Sequence, residues 1–222
     1  MFTEISPTYD LTNKILSLGI DRLWRKKLIL SAGLKDGDVI LDLCTGTADL
    51  VFEFHRYHEN VKILGLDISR GMLEIGAQKL ARENDEMLLL LESDALNLPL
   101  ADNSIDVISI AFGLRNLTDF GQGLSEMRRV LKSNGRLLIL EFSLPIFRPW
   151  RALYLLYLKH IIPLIGGWIS GSRPAYNYLH DTIYTFAAPG EVIAEMRNVG
   201  FEQIEARKFL NGISILYCGK VD

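Results

Sequence analysis

One stretch, Val39 to Asp67, constrains the fold more than any other part of this 222-residue chain. Val39-Ile40-Leu41-Asp42-Leu43 is apolar and β-branched and reads as a buried strand. A turn of small residues, Cys44-Thr45-Gly46-Thr47-Ala48-Asp49, leads into a helix that begins Leu50-Val51-Phe52-Glu53-Phe54. Val61-Lys62-Ile63-Leu64-Gly65-Leu66 is a second strand, and it stops at Asp67. Strand, tight turn, helix, strand and terminal acid make a unit suited to a nucleoside cofactor. Gly46 lets a ligand approach the backbone, and the helix start offers N–H donors. An acid about 20 residues on can hold both ribose hydroxyls. The dinucleotide pattern G-x-G-x-x-G is absent, because the turn keeps one glycine, Gly46, between Cys44 and Ala48. No pyrophosphate cradle and no P-loop lysine remain. An ordinary βαβ unit with a snug turn is the plain alternative.

The turn resembles motif I of the class I S-adenosylmethionine-dependent methyltransferases. A second mark follows. Ile68-Ser69-Arg70-Gly71-Met72-Leu73 opens a helix reaching about Glu83, with Ser69 as its N-cap, and Met87 to Leu91 is a third strand. It ends at Glu92-Ser93-Asp94-Ala95. The Asp94 carboxylate can accept from an adenine amine while the Ala95 N–H donates to a ring nitrogen. Asp67 and Asp94 at adjacent strand ends suit a cationic ligand and repel a phosphorylated one. Met72 is either near that adenine or an ordinary core methionine.

Composition bounds the rest. The length suits one α/β domain with a good core. A hydrophobic fraction of 49% and a mean hydropathy of +0.17 point to an apolar ligand or a membrane surface. A net charge of −3 gives no general attraction to nucleic acid. Cys44 and Cys218 make no disulfide framework, and the four histidines have no metal-ligand spacing, so no metal is expected. The first residues lack a signal-peptide pattern, and a reducing cytosol is the expected compartment.

Before the first strand, Asp10 or Thr12 can cap a short helix through Leu18, and a second helix runs from about Asp21 to Ala32 with Leu23, Leu28 and Leu30 as core candidates. Leu96 to Asp106 turns into a fourth strand, Val107 to Ala111, and Phe112-Gly113-Leu114-Arg115-Asn116 sits at its carboxyl end, where open α/β sheets bind ligands. A helix from Gly123 to Leu131 precedes a fifth strand, Arg136 to Ser143, with an apolar core face. Arg128, Arg129 and Lys132 read as a solvated helix end. Leu144 to Pro189 is apolar and aromatic. Lys159-His160, Pro163 and Gly166-Gly167 interrupt it, which argues against a transmembrane span of about 20 apolar residues. It suits a tunnel for a lipid tail or a rest on the bilayer interface; a dimer face or extra core is the plain alternative. His180 and Asp181 are adjacent, so they are not expected to face one another on a helix. Gly190 to Val199 is a last helix. Phe201 to Leu210, Asn211-Gly212 and Ile213 to Gly219 read as a hairpin with an Asn-Gly turn.

Three motifs carry a sharper resemblance. They are Phe2-x-x-Ile5-x-x-x-Tyr9-Asp10-x-x-Asn13 with Gly19-Ile20-x-x-x-Trp24-Arg25, then Phe112 to Asn116, then Ser172-Arg173-Pro174-Ala175-Tyr176-x-Tyr178-Leu179. Together they are similar to the ubiquinone/menaquinone biosynthesis C-methyltransferase family over nearly the whole chain. The resemblance implies a seven-stranded Rossmann-like class I methyltransferase sheet, mostly parallel, with a C-terminal antiparallel hairpin and helices on both faces. It divides one domain into a helical cover (1–34), a cofactor core (35–143), an apolar helical substrate insertion (144–189) and a final helix and hairpin (190–222).

It also implies cofactor contacts at Asp42, Gly46, Thr47, Asp67, Ile68, Met72, Asp94, Ala95 and Ala111. Many relatives carry a serine at the last position, so a hydroxyl contact is missing here. The substrate would meet Tyr9, Phe112, Arg115 and Tyr176. The implied reaction is C-methylation of a polyprenylated quinol, demethylmenaquinol first, with 2-polyprenyl-6-methoxy-benzoquinol as the alternative ring. Another small-molecule methyltransferase and a non-catalytic cofactor- or quinone-binding scaffold stay open. Arg115 is the expected stabiliser of the quinolate, Asn116 orients a hydroxyl or water, and Tyr9 closes the site. No dedicated base is evident, and proton loss through water is expected. The implied setting is cytoplasmic, at the inner face of the membrane, with a homodimer left open.

Overall fold

The computed structural model describes residues 17, 19–83, 86–170 and 173–222; the side chains of 83, 166, 168–170 and 173–177 are not part of that description. Tyr9 and the helix capped by Asp10 or Thr12 lie outside the described residues. Helix α1 (Ile20–Ala32) comes first, then β1 (Val39–Leu43), α2 (Asp49–Tyr57), β2 (Lys62–Asp67), α3 (Arg70–Glu83) and β3 (Leu88–Glu92). Strand β4 (Ile105–Ala111) runs into a 3₁₀ turn at Leu114–Asn116, followed by α4 (Phe120–Val130) and β5 (Leu131–Phe142). Three helices then break the alternation: α5 (Arg148–Leu156), continued by a π turn at Tyr157–Ile161, α6 (Ile162–Ser170) and α7 (Arg173–Thr185). The chain closes with α8 (Pro189–Asn198), β6 (Glu202–Phe209) and β7 (Ser214–Lys220).

The strands form one sheet in the order β3-β2-β1-β4-β5-β7-β6. The pairs from β3 to β5 are parallel, and β7 is antiparallel to both β5 and β6. The strand order reverses at β1, which separates the two halves and places the β1 and β4 ends at the crevice where such sheets bind ligands. Near-continuous apolar strands follow from burial on both faces. Alternate residues of one strand serve opposite layers: Ile40 packs with Trp24, Leu28 and Phe54, whereas Leu41 packs with Leu124, Met127 and Met196.

Four expectations need correction. Leu23 and Leu30 of α1 are exposed; its core face is Trp24, Leu28, Ile29 and Ala32, because the sheet lies on the other side of the helix from the two leucines. Arg129 and Lys132 are not a solvated helix end. Arg129 donates to Glu126, Asp102 and the Leu98 and Leu100 carbonyls, tying α4 to the loop before β4, and Lys132 of β5 pairs with Asp106 of β4 at 2.7 Å. His180 Nδ1 and Asp181 Oδ1 do meet, at 2.9 Å, since the short carboxylate bends back along the helix surface to the ring. The last connection is a one-turn 3₁₀ segment, Leu210–Gly212, and not a two-residue turn; Leu210, Asn211 and Gly212 all have positive φ.

Candidate active site

The carboxyl ends of β1, β4 and β5 meet α1 and the α5–α7 helices around a cavity of about 680 Å³. Its polar floor is the turn after β1. There Gly46 N–H donates to Asp67 Oδ2 at 2.8 Å, and Ser69 N–H donates to Asp67 Oδ1 at 2.8 Å. Asp67 therefore ties the two strand ends together and, with Ile68 N–H as a third backbone contact, keeps part of its acceptor capacity for a ligand hydroxyl. Gly46 has φ +59, and no atom lies within 4 Å of where a Cβ on it would sit. The backbone is open to a ligand at that point. Cys44, which stands where the dinucleotide pattern has its first glycine, and Ala48 also take positive φ, 52° and 65°. The turn thus keeps a glycine-type path without the glycines, at a steric cost of about 1 kcal/mol or more for each residue.

Below the turn, Asp42 is buried and accepts from Thr45 Oγ1 at 2.7 Å and Ser109 Oγ at 2.6 Å. Burial pushes its carboxyl up from the usual 3.8 to about 6, against the two hydroxyls and the Arg25 charge, which pull it down. Asp67 is raised as well, again by burial first. A pocket floor that penalises carboxylates rewards a ligand that brings positive charge.

The wall is built by the motif after β4. Gly113 permits it: a Cβ there would lie 2.4 Å from Cys44 Cβ, so only glycine lets this turn sit on the cofactor turn. Phe112, at φ 59, stacks on Phe142 with centroids 4.3 Å apart, and both rings pack against Trp24 of α1. Arg115 enters the cavity with a side chain only 6% exposed. Its Nη1 pairs with Glu141 Oε1 at 2.8 Å and also donates to the Phe112 carbonyl. Glu141, 1% exposed, accepts from the Arg115 and Phe142 backbone N–H groups at 3.1 and 2.8 Å. The guanidinium lies 5.5 Å over the Phe142 ring, and its buried Nε makes no hydrogen bond. Asn116 stands behind this wall, where its Oδ1 accepts the Tyr178 hydroxyl at 3.3 Å; Tyr178 itself lines the cavity. The roof is apolar, from Trp150, Leu153, Tyr154, Leu158, Leu179 and Ile183.

Of the expected site residues, Asp42, Gly46, Thr47, Ala111, Phe112 and Arg115 share this one cavity. Asp67 joins it through the Gly46 amide. Ile68 is exposed beside Asp67, Asp94 is exposed and accepts from Leu96 N–H at 2.9 Å, Ala95 is buried, and Met72 is 2% exposed in the first turns of α3. Ser93 N–H donates to the Asp67 carbonyl at 3.0 Å, which sets the Asp94 turn next to Asp67. Tyr176 lies on α7 with its side chain outside the described set. Glu141 and Tyr154 line or brace the site without any sequence signal assigned to them, and Tyr178, part of the third sequence motif, has no site role assigned there.

Residues 1–220 match the ubiE/COQ5 methyltransferase family. The chain belongs to that family. It is 38% identical over 221 residues to a demethylmenaquinone methyltransferase of Porphyromonas gingivalis, covering 99% of this chain and 90% of that one. It is 39% identical over 222 residues to the ubiquinone/menaquinone biosynthesis C-methyltransferase UbiE of Geobacter sulfurreducens, covering 99% and 86%. Among solved structures, a SAM-dependent methyltransferase of Aquifex aeolicus aligns with TM-score 0.65 at 18% identity over 89% of each chain. A putative S-adenosyl-L-methionine-dependent methyltransferase of Methanococcus maripaludis aligns with TM-score 0.70 at 20% identity over 100% of this chain and 95% of that one. These two share the fold, which is the class I methyltransferase sheet.

S-adenosylmethionine is thus the cofactor, and the β1 turn fits it. The open face of Gly46 and the spare acceptors of Asp67 suit a methionine chain and a ribose, and the carboxylates of Asp42, Asp49 and Asp67 suit its positive charges. Two other lining groups are silent at neutral pH, since burial pushes both the Cys44 thiol and the Tyr154 phenol upward.

Asp42 gives a pH test. Its folded value lies above its unfolded value, so the fold is favoured by its protonation and loses stability as pH rises from about 4 through about 6. At about 1.4 kcal/mol per pKa unit, the loss is about 3 kcal/mol. Asp42→Asn keeps the hydrogen-bonding shape and removes the charge. Its melting temperature should exceed the parent's at pH 7.5, with the gap closing by pH 4, while its affinity for S-adenosylmethionine falls. Thermal melts across that range check the first outcome and titration calorimetry the second.

Proposed function

We propose that this methyltransferase transfers a methyl group to a ring carbon of a reduced, polyprenylated quinone, with demethylmenaquinol as the substrate. One observation carries the reading: a single cavity joins the cofactor turn, the Arg115 guanidinium and a long apolar roof. A carbon nucleophile needs electron density, which the reduced ring supplies once a hydroxyl proton has left. S-adenosylmethionine, when bound, supplies an electrophilic methyl on a neutral leaving group. The protein's share is then orientation, exclusion of water and stabilisation of the quinolate. Arg115 is the proposed holder of the quinolate oxygen. Glu141 fixes its direction through the bond from Nη1, and is itself held by the Arg115 and Phe142 backbone N–H groups. Tyr178 and Asn116 form a polar pair beside it that can pass a proton through water. The roof packs the ring and the first isoprene units. The relatives' names also cover a ubiquinone precursor, so a benzoquinol ring is the second reading. A panel of demethylmenaquinol, demethylated benzoquinol and a simple catechol, each with labelled S-adenosylmethionine, decides. Carbon-bound label in a quinol supports the reading, and label on a catechol oxygen contradicts it.

The same insertion supports a seat on the bilayer. No helix among the described residues is long and apolar enough to cross a membrane. Yet Ile146, Phe147, Trp150, Leu153, Leu156 and Leu164 are all exposed, and Trp150, Leu153 and Leu156 also line the cavity. The apolar patch is therefore the lip of the cavity. Between Phe142 and Asp181 the chain has no Asp or Glu, while Arg148, Arg151, Lys159 and Arg173 are present in a chain of net charge −3. An apolar face flanked by cations fits an anionic lipid surface. Phe147→Asp with Leu164→Asp, both outside the cavity lining, should weaken co-sedimentation with phosphatidylglycerol vesicles at least tenfold, given about 1.5–3 kcal/mol for each large apolar side chain. Unchanged sedimentation would contradict this seat.

A further inference from the structure

Arg25 on α1 lines the cavity beside the β1 turn, with a side chain 14% exposed. Its buried Nε makes no hydrogen bond. Two carboxylates come within 4.0 Å of it, but neither is hydrogen-bonded to it: Asp21 Oδ2 is 3.7 Å from Nε, and Asp49 Oδ2 is 4.0 Å from Nη1; Asp42 and Glu53 lie farther off and also feel its charge. Both acids have closer partners. Asp21 accepts from Ser17 Oγ at 2.5 Å, and Asp49 accepts from Lys79 Nζ at 2.6 Å. The guanidinium is thus held in direction by charge while its donors remain unspent. The Nε itself is closed off from the cavity, so an acceptor arriving there meets the Nη groups, which make no hydrogen bond among the described residues. The other arginine lining the cavity, Arg115, is committed to Glu141 at the far wall.

We propose that Arg25 anchors the carboxylate of the cofactor's methionine end. That end is a zwitterion, and the turn otherwise offers it acids: Asp42 and Asp49 line the same floor and suit the ammonium and the sulfonium. A carboxylate alone would be repelled there, and Arg25 brings the complementary charge into the cavity lining at that end, Lys79 being engaged with Asp49 and the Thr47 carbonyl. Its planar fork can give two parallel N–H donors to the two carboxylate oxygens. Arg25 also lies close enough to Asp42, on the same cavity floor, to draw its carboxyl down. The inference rests on the cofactor assignment and not on which ring is methylated.

Decarboxylated S-adenosylmethionine keeps the sulfonium and the amine and lacks only the carboxylate. Calorimetric affinities without any quinol present, for this compound and for S-adenosylmethionine, form the test. The parent protein should prefer S-adenosylmethionine by about ten- to a hundredfold, the range of a charge-assisted bidentate contact. Arg25→Met should lose that preference and bind both compounds alike, at the parent's affinity for the decarboxylated one. Arg25→Lys should regain part of it. Equal weakening toward both ligands in Arg25→Met, or a preference left intact, would overturn the proposal. Should the parent bind neither compound, the cofactor assignment itself fails and takes the anchor with it.

Discussion

Glu141→Ala should lower stability by about 3–5 kcal/mol, the usual cost of stripping the partner from a buried ion pair. At 222 residues that is a drop of about 10 °C in melting temperature. The reason is local. Glu141 is 1% exposed and takes the Arg115 side chain, the Arg115 N–H and the Phe142 N–H. Removing it leaves a guanidinium 6% exposed with no counter-charge, together with two unpaired amides. Replacing both partners by apolar residues, as in Glu141→Leu with Arg115→Met, should recover most of the loss, because neither charge then needs solvation. Activity should not recover with it. Melts of the two single variants and the double variant separate stability from chemistry; a double variant as unstable as Glu141→Ala would contradict the buried-pair account.

Arg115→Met should leave cofactor affinity unchanged and lower kcat roughly 10²–10³-fold, the range for one preorganised donor to a developing oxyanion. Its pH profile is the sharper readout. A fixed positive charge beside the quinol hydroxyl favours the quinolate, so the parent reaches its plateau at a lower pH. Without that charge the rising limb of kcat should move to higher pH. Because this variant also strands Glu141, its kinetics are best read beside those of the double variant. Full turnover with an unmoved profile would remove Arg115 from the reaction.

Much of this architecture is legible in the residues. The apolar runs of β1, β2 and β4, the acids Asp67 and Asp94 at strand ends and the Asn-Gly pair before β7 identify a doubly wound sheet with a hairpin end. Local chemistry alone decides those elements. Two expectations, for Leu23 with Leu30 and for Arg129, fail where tertiary packing decides. Leu23 and Leu30 look like core by residue type, but the sheet lies on the Trp24–Leu28 side of α1. Arg129 looks solvated until the loop before β4 folds over it. Glu141 had a readable signal, an acid closing an otherwise apolar strand, as Asp67 closes β2. Its partner is 26 residues away, so the pairing itself was not readable. Arg25 is similar: nothing in its neighbours along the chain shows that Asp21 and Asp49 are already engaged elsewhere.

The most direct test of the central claim compares one acceptor in two redox states. Transfer of labelled methyl from S-adenosylmethionine is measured under anaerobic conditions with demethylmenaquinol and with the same compound oxidised. The account predicts carbon-bound label in the quinol alone, because only the reduced ring can become a quinolate beside Arg115. Equal labelling of the oxidised quinone, or no label in either while the cofactor binds, would contradict it.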